Sequence, residues 1–241
     1  MEQRPLTLLN TRAEHQLAPL RTALEAEGWN CIDLPLIRLA ALPADIPELK
    51  ETDWLVFTSV NSVRFWKEAA AAGLMKAKIA CVGSKTAAYA ENQGYSVSLI
   101  PQEFRAEALA DKLLAETEPG DRIIYPRSKK SRPFLKEQLL AEGRTVKDVV
   151  LYDTLPNDAA GIKLPEALQD VDIVIFMSPT AVDAFFTFVK AEDVPENVSY
   201  GCIGSVTAEA LGKKTSREVL VPQTYTIEAL IDTIKNRKVK R

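Results

Sequence analysis

Asp53-Trp54-Leu55-Val56-Phe57-Thr58-Ser59-Val60-Asn61 returns later in the chain as Asp172-Ile173-Val174-Ile175-Phe176-Met177-Ser178-Pro179-Thr180. Each copy has an acidic residue, an apolar run, and then residues that are mostly small and polar. A strand with one solvated face alternates apolar and polar residues. Trp54–Phe57 and Ile173–Phe176 do not, so they read as strands covered on both faces of a parallel sheet. The hydroxyl-bearing residues that follow stand where such a sheet presents its loops to a ligand. Ser59 and Ser178 also suit helix N-caps, and Pro179 suits the first helical position. The cap and the ligand contact are compatible roles, because free backbone N–H groups at a helix start also bind anions.

The duplication extends outward in both directions. Cys81-Val82-Gly83-Ser84-Lys85-Thr86-Ala87 returns as Cys202-Ile203-Gly204-Ser205-Val206-Thr207-Ala208, and Pro101 to Leu109 returns as Pro222 to Leu230. Upstream, Leu6–Leu9 leads into Asn10-Thr11-Arg12 as Ile123-Ile124-Tyr125 leads into Pro126-Arg127. Leu17, Leu20 and Leu24 fall at helical spacing before Gly28, and Leu135 and Leu139 do so before Gly143. Strands near Cys31–Ile37 and Val146–Tyr152 follow. Each half then reads strand, helix, strand, helix, strand, helix. The remaining strands are expected at Ile79–Val82 and Val97–Ile100, and at Gly201–Ile203 and Glu218–Val221.

The expected fold is therefore α/β. Two flavodoxin-like doubly wound parallel-sheet domains, internally duplicated and with right-handed crossovers, are expected to face one another across a cleft. Leu42–Pro47 and Leu155–Gly161 read as connectors, since their prolines and polar residues disfavour continued strands.

The 241 residues suit one large domain or two ordinary ones; 46% are apolar and 26% charged, an unremarkable globular mixture. A net charge of −3 weighs against a general nucleic-acid surface. No apolar run is long enough to cross a bilayer, and Met1–Pro5 lacks the order of a secretion signal, so a cytoplasmic protein is expected. The basic tail Lys235–Arg241 reads as a frayed helix end. Three cysteines without Cys-x-x-Cys spacing indicate neither a disulfide framework nor a zinc site. Cys81 and Cys202 read as small buried hydrophobes. His15 is the lone histidine, placed among polar residues early in a helix, which excludes a multi-histidine metal site.

Gly83-Ser84-Lys85-Thr86 and Gly204-Ser205-Val206-Thr207 are neither a P-loop nor a Gly-x-Gly-x-x-Gly turn. Their glycines permit a tight turn and close backbone approach. With the Ser59 and Ser178 turns they outline an anion-lined cleft. Arg127, Lys129, Lys130 and Arg132 follow a strand end, with Arg12 as the lone counterpart in the first half. Such a set reads either as a solvated face or as carboxylate recognition. Tyr152, in Leu151-Tyr152-Asp153-Thr154, reads either as a structural tyrosine or as a phenol able to donate a proton.

Taken together, these stretches resemble the uroporphyrinogen-III synthase family over nearly the whole chain. The resemblance rests on Thr11-Arg12, Thr58–Val63, Val82–Ala87 and Gly94, then on Gly143, Val146–Thr154, Phe176–Val182, Ile203–Ala208 and Tyr225–Leu230. The chain departs from the family pattern in having Thr11-Arg12-Ala13 where Thr-Arg-Pro is commoner, and in the basic loop after Arg127.

The resemblance implies two flavodoxin-like domains joined by a two-stranded linker, one from residues 1–37 plus 156–241 and the other from 38–155. It implies closure of linear hydroxymethylbilane to uroporphyrinogen III with inversion of the last pyrrole ring, without metal or organic cofactor. It assigns Tyr152 as proton donor and Thr86 and Thr207 to the cleft. Ser59, Asn61, Ser84, Ser178 and Ser205, with Arg12 and Arg127, are the further expected substrate contacts. The expected partner is the small-molecule substrate, with transient hand-over from porphobilinogen deaminase; no nucleic acid, no membrane and a monomeric state are expected. Two readings compete with this one. The first is a non-catalytic synthase-like module binding an anionic tetrapyrrole or other metabolite, and the second is a two-lobed binding protein.

Overall fold

The computed structural model describes residues 4–70 and 77–236. The N-terminal Met1–Gln3 and the basic segment Arg237–Arg241 lie outside the described residues. In chain order the first elements are β1 (Thr7–Asn10), α1 (Leu17–Glu25), β2 (Asn30–Asp33), β3 (Ile37–Ala41), β4 (Trp54–Phe57) and α2 (Val60–Ala69). There follow β5 (Lys78–Cys81), α3 (Ser84–Asn92), β6 (Val97–Leu99), α4 (Ala106–Glu116), β7 (Arg122–Ser128), α5 (Phe134–Ala141) and β8 (Thr145–Pro156). The chain continues through the short α6 (Asp158–Gly161) and α7 (Leu164–Ala167), then β9 (Ile173–Phe176), α8 (Pro179–Phe188) and β10 (Ser199–Cys202). It closes with α9 (Ser205–Gly212), β11 (Val219–Leu220) and α10 (Ile227–Lys235).

These elements form two compact units, residues 1–39 with 154–241 and residues 40–153, with boundaries inside β3 and β8. The first unit holds a sheet ordered β11-β10-β9-β1-β2, every neighbouring pair parallel. The second holds a sheet ordered β3-β8-β7-β4-β5-β6, in which the β8-β7, β7-β4, β4-β5 and β5-β6 pairs are parallel. With β3 set aside, both sheets place a β-α-β pair beside a three-strand run.

The apolar runs are explained by the packing. In the first unit Leu9, Val174 and Phe176 enter one buried layer together with Val182 and Phe185 of α8. Leu8, Ile173 and Ile175 point to the opposite layer, with Leu20 and Leu24 of α1 and Leu230, Ile231 and Ile234 of α10. Alternate residues thus face different helices, and every position is buried. In the second unit Trp54 and Val56 pack with Leu109 and Leu113 of α4 and Leu135 and Leu139 of α5. Each large apolar side chain so buried contributes about 1.5–3 kcal/mol relative to exposure.

Two expectations are corrected. The stretch Cys31–Ile37 is not one strand: β2 ends at Asp33, β3 begins at Ile37, and Leu34-Pro35-Leu36 runs between them. The expected connector at Leu155 begins as strand, because β8 continues through Pro156. Its register with β7 ends at Ser128 opposite Tyr152, and on its other side β8 borders β3. A proline at a strand terminus with one open side forfeits no ladder bond there. The other connector, Leu42–Pro47, has no regular structure, and Gly28 and Gly143 adopt φ 74° and 79° where α1 and α5 end.

Among the described residues no helix is long and apolar enough to cross a membrane, and no three His, Cys, Asp or Glu side chains cluster as metal ligands. Cys81 and Cys202 are buried, and burial pushes both thiols up to about 12. His15 is exposed.

Candidate functional site

In a parallel sheet all strands end on one edge, so loops that are far apart in sequence converge there. In the second unit Phe57 of β4 lies opposite Cys81 of β5. This sets Thr58-Ser59 beside Val82-Gly83-Ser84. Tyr152 lies opposite Ser128 at the end of β7. The best-defined cluster sits here. The Tyr152 hydroxyl is 3.1 Å from Ser59 Oγ, and the Tyr125 hydroxyl is 3.4 Å from Thr58 Oγ1.

Ser59 is held by its own helix. Its Oγ accepts the Ser62 N–H at 3.0 Å, and the Ser62 hydroxyl receives the Ser59 N–H in return, closing a capping box at the start of α2. The Tyr152 ring stacks on Phe65 of the same helix, centroids 4.6 Å apart and planes 12° apart. The Arg64 guanidinium lies 4.6 Å from the Phe65 centroid. Burial pushes the Tyr152 phenol above its ordinary pKa, with Tyr125 adding to that shift, while the Ser59 hydrogen bond and the Arg64 charge oppose it. The net shift is upward, because burial outweighs the two opposing interactions.

The other expected residues fall on the same two sheet edges. Asn61 is in the first turn of α2 and half-buried; Ser84 opens α3 and is exposed. Thr86 and Thr207 are buried in the first turns of α3 and α9. In the first unit Ser178 caps α8 by accepting the Ala181 N–H at 3.3 Å, with Pro179 at the first helical position. Ser205 is exposed at the start of α9, its hydroxyl 2.9 Å from that of Tyr225.

The two arginines differ in their partners. Arg127 forms a two-pronged ion pair with Asp148 through Nε and, at 2.7 Å, Nη2, and donates Nη1 to the Ser128 carbonyl at 2.9 Å. Lys136 reaches the same carboxylate at 3.0 Å. Burial alone would raise the Asp148 pKa, but these two cations outweigh it and hold the carboxyl low. Asp33 lies opposite Asn10 as Asp148 lies opposite Tyr125. Asp33 is taken by Arg21 and by Asn10 Nδ2, however, and among the described residues the buried Nε of Arg12 has no hydrogen-bond partner. Burial lowers the Arg12 pKa. Of the remaining basic loop, Lys129 lies 4.0 Å from Asp153 and Arg132 lies 3.6 Å from Glu107.

The glycines at the helix starts have a different explanation from the one expected. Gly83 and Gly204 are fully extended, with φ −173° in both, so no special backbone conformation demands glycine. An aromatic ring lies across each instead. A Cβ on Gly83 would meet Phe104 Cγ at 2.8 Å, and one on Gly204 would meet Tyr225 Cδ1 at 2.9 Å. Gly83→Ala and Gly204→Ala are each expected to cost about 1–2 kcal/mol, because the ring must shift. Urea unfolding checks this, and unchanged midpoints would show that the rings move freely.

Reading the sequence missed Tyr125, Phe65, Arg64 and Asp148. Tyr125 ends an apolar run, which was a usable signal. The others depend on which side chains meet in space, and no local spacing announces that.

The family model described as Uroporphyrinogen-III synthase HemD matches residues 18–232. The uroporphyrinogen-III synthase of Chlorobaculum parvum is 26% identical, covering 91% of this chain and 94% of its own length. That of Synechococcus elongatus is 28% identical, covering 98% and 97%. The solved uroporphyrinogen-III synthetase of Helicobacter pylori superposes with a TM-score of 0.67 at 18% identity, covering 97% of this chain and all of that one, and so shares the fold.

Proposed function

The chain belongs to the uroporphyrinogen-III synthase family, and from that premise we propose that it closes hydroxymethylbilane to uroporphyrinogen III with loss of water and inversion of the terminal pyrrole ring. Within that family frame, the observation that carries the proposed chemistry is the Tyr152 hydroxyl, set 3.1 Å from the capping serine of α2 at the carboxyl edge of its sheet. The substrate carries eight carboxylates. Backbone N–H groups at the starts of α2, α3, α8 and α9 suit these groups, with Arg12 as a cation whose Nε has no partner among the described residues. Ser59, Asn61, Ser84, Thr86, Ser178, Ser205, Thr207 and Arg127 belong to the same proposed contact set.

Departure of the terminal hydroxyl leaves an electrophilic azafulvene. Direct closure of that species gives the uninverted ring. The protein's task is to fold the chain so that the substituted carbon attacks first, giving a spiro intermediate, and to suppress direct closure. Tyr152 assists departure by giving its proton to the leaving oxygen. The reading includes the internally duplicated pair of flavodoxin-like domains, 1–37 with 156–241 and 38–155, joined by a two-stranded linker. It also includes a cytoplasmic, cofactor-free monomeric hydro-lyase that receives substrate transiently from porphobilinogen deaminase.

A coupled assay tests it. Porphobilinogen deaminase supplies hydroxymethylbilane, and oxidised products are resolved into uroporphyrin I and III. Isomer III dependent on this protein is the expected result; isomer I alone, from folded protein, would sink the proposal. Tyr152→Phe is expected to lower kcat about 10–100-fold without abolishing turnover, because positioning survives loss of the acid. A wild-type rate would remove Tyr152 from the mechanism.

A further inference from the structure

Besides capping α2 and standing in the proposed contact set, Ser59 is placed to act on Tyr152. Its Oγ already accepts the Ser62 N–H at 3.0 Å, and the capping box fixes its position. It has one hydrogen to give, and the Tyr152 oxygen is 3.1 Å away. Were the phenol the donor in this pair, its proton would be spent inside the protein. With Ser59 as donor, the phenol proton is free for a bound molecule.

The same helix sets the ring itself. Phe65 is buried and stacks almost parallel to Tyr152 at 4.6 Å, which fixes the ring plane. The Arg64 guanidinium rests at 4.6 Å from the Phe65 centroid, so a cation flanks the stack. Its Nε is buried without a hydrogen-bond partner among the described residues, and the Glu68 carboxylate stands 3.7 Å from it. The N-cap and first turns of α2 thus bring the Ser59 hydroxyl and the Phe65 platform against Tyr152, with the Arg64 cation beside that platform.

We infer that Ser59, Phe65 and Arg64 are positioning residues that act through Tyr152: Ser59 donates to the phenol oxygen, Phe65 fixes the ring, and Arg64 favours the negative charge left after proton transfer. The inference rests on the function proposed above. In the step it describes, the phenol O–H bond breaks and its proton goes to the terminal hydroxyl of the substrate. The C–O bond breaks with its electron pair, water leaves, and the pyrrole nitrogen lone pair forms the azafulvenium double bond. The phenolate accepts the Ser59 hydrogen bond. It regains a proton from the pyrrole carbon that loses one when the macrocycle closes, so the net change is ring closure with release of one water.

The test compares the wild type with Ser59→Gly, Ser59→Thr, Arg64→Met and Tyr152→Phe, and with Ser59→Gly and Arg64→Met each placed on Tyr152→Phe. Glycine is chosen because it keeps most of the N-cap stability while removing the hydroxyl. Ser59→Gly is expected to lower kcat about fivefold and Arg64→Met about threefold, each with KM within about twofold of wild type. Ser59→Thr, which keeps the hydroxyl, is expected to restore kcat to within about twofold. On the Tyr152→Phe background, neither change is expected to add a further loss.

Unchanged kcat in Ser59→Gly, a KM rise at constant kcat, or a full additive loss on Tyr152→Phe would each overturn the inference and leave the synthase reading intact. Failure of the synthase reading itself shows differently, as a wild-type protein that yields only isomer I.

Discussion

Phe185→Ala is expected to remove about 3–5 kcal/mol of stability from the first unit. Phe185 is fully buried on α8 and meets three other aromatics: Phe176 of β9 edge-on at 5.3 Å, Phe186 at 5.0 Å and Tyr200 of β10 at 6.3 Å. Truncation removes the transfer energy of the ring and leaves a cavity that strands β9 and β10 cannot close, because both are fixed by parallel neighbours on each side. The loss is large against the total stability of a domain. Denaturant unfolding gives its size, and hydrogen exchange gives its place: amides of β9, β10 and α8 should lose protection first. A loss below about 1.5 kcal/mol would show that the neighbouring rings refill the space.

Asp53→Ala is expected to cost the second unit about 3–4 kcal/mol, for an electrostatic reason. Asp53 precedes β4 and is 1% exposed. Its carboxylate accepts Arg122 Nε at 2.8 Å, Arg122 Nη2 at 2.5 Å and the Lys50 N–H at 2.6 Å. The pair ties the start of β4 to the start of β7. Alanine leaves the Lys50 amide and much of the guanidinium without an acceptor, which costs more than the net worth of the bonds themselves.

The pair also sets an acid limit. The Arg122 hydrogen bonds outweigh burial and hold the Asp53 pKa below its ordinary value. A carboxyl lowered on folding contributes stability that is complete above the unfolded pKa, near 3.9, and is lost as pH falls toward the folded one. Asp148, also held low, acts in the same window. Wild-type stability is therefore expected to fall steeply below about pH 4, and the Asp53→Ala profile to be flatter there. Equal slopes for the two proteins would rule out this linkage.

The pattern of strands and helices was legible because both faces of these sheets are covered. That burial forces runs such as Leu55-Val56-Phe57 and Ile173-Val174-Ile175 to be apolar throughout, and no exposed strand would tolerate them. The turns were legible for a local reason: serine caps its own helix, so Ser59 and Ser178 reveal themselves within four residues. Where a residue's role depends on a distant partner, reading the sequence was less successful. Pro156 was read as ending a strand, yet pairing with β3 carries β8 through it. Gly83 was read as a turn, yet the reason for glycine there is Phe104, twenty-one positions on.

The sequence by itself determined the α/β class, the positions of the sheet-edge loops and the family, since each is written in local periodicity or in residues carried at fixed spacing. Only the tertiary structure decided what the side chains do. Arg12 and Arg127 look alike in sequence, but Arg127 is bound to Asp148 while Asp33, opposite the end of β1, is claimed by Arg21. Tyr152 could have been a core tyrosine packed anywhere in the sheet; only folding places its ring on Phe65 and its hydroxyl beside Ser59. The physical reason is range. Capping and burial patterns act over one or two turns of chain, whereas charge pairing and ring stacking join residues that only folding brings within a few ångströms.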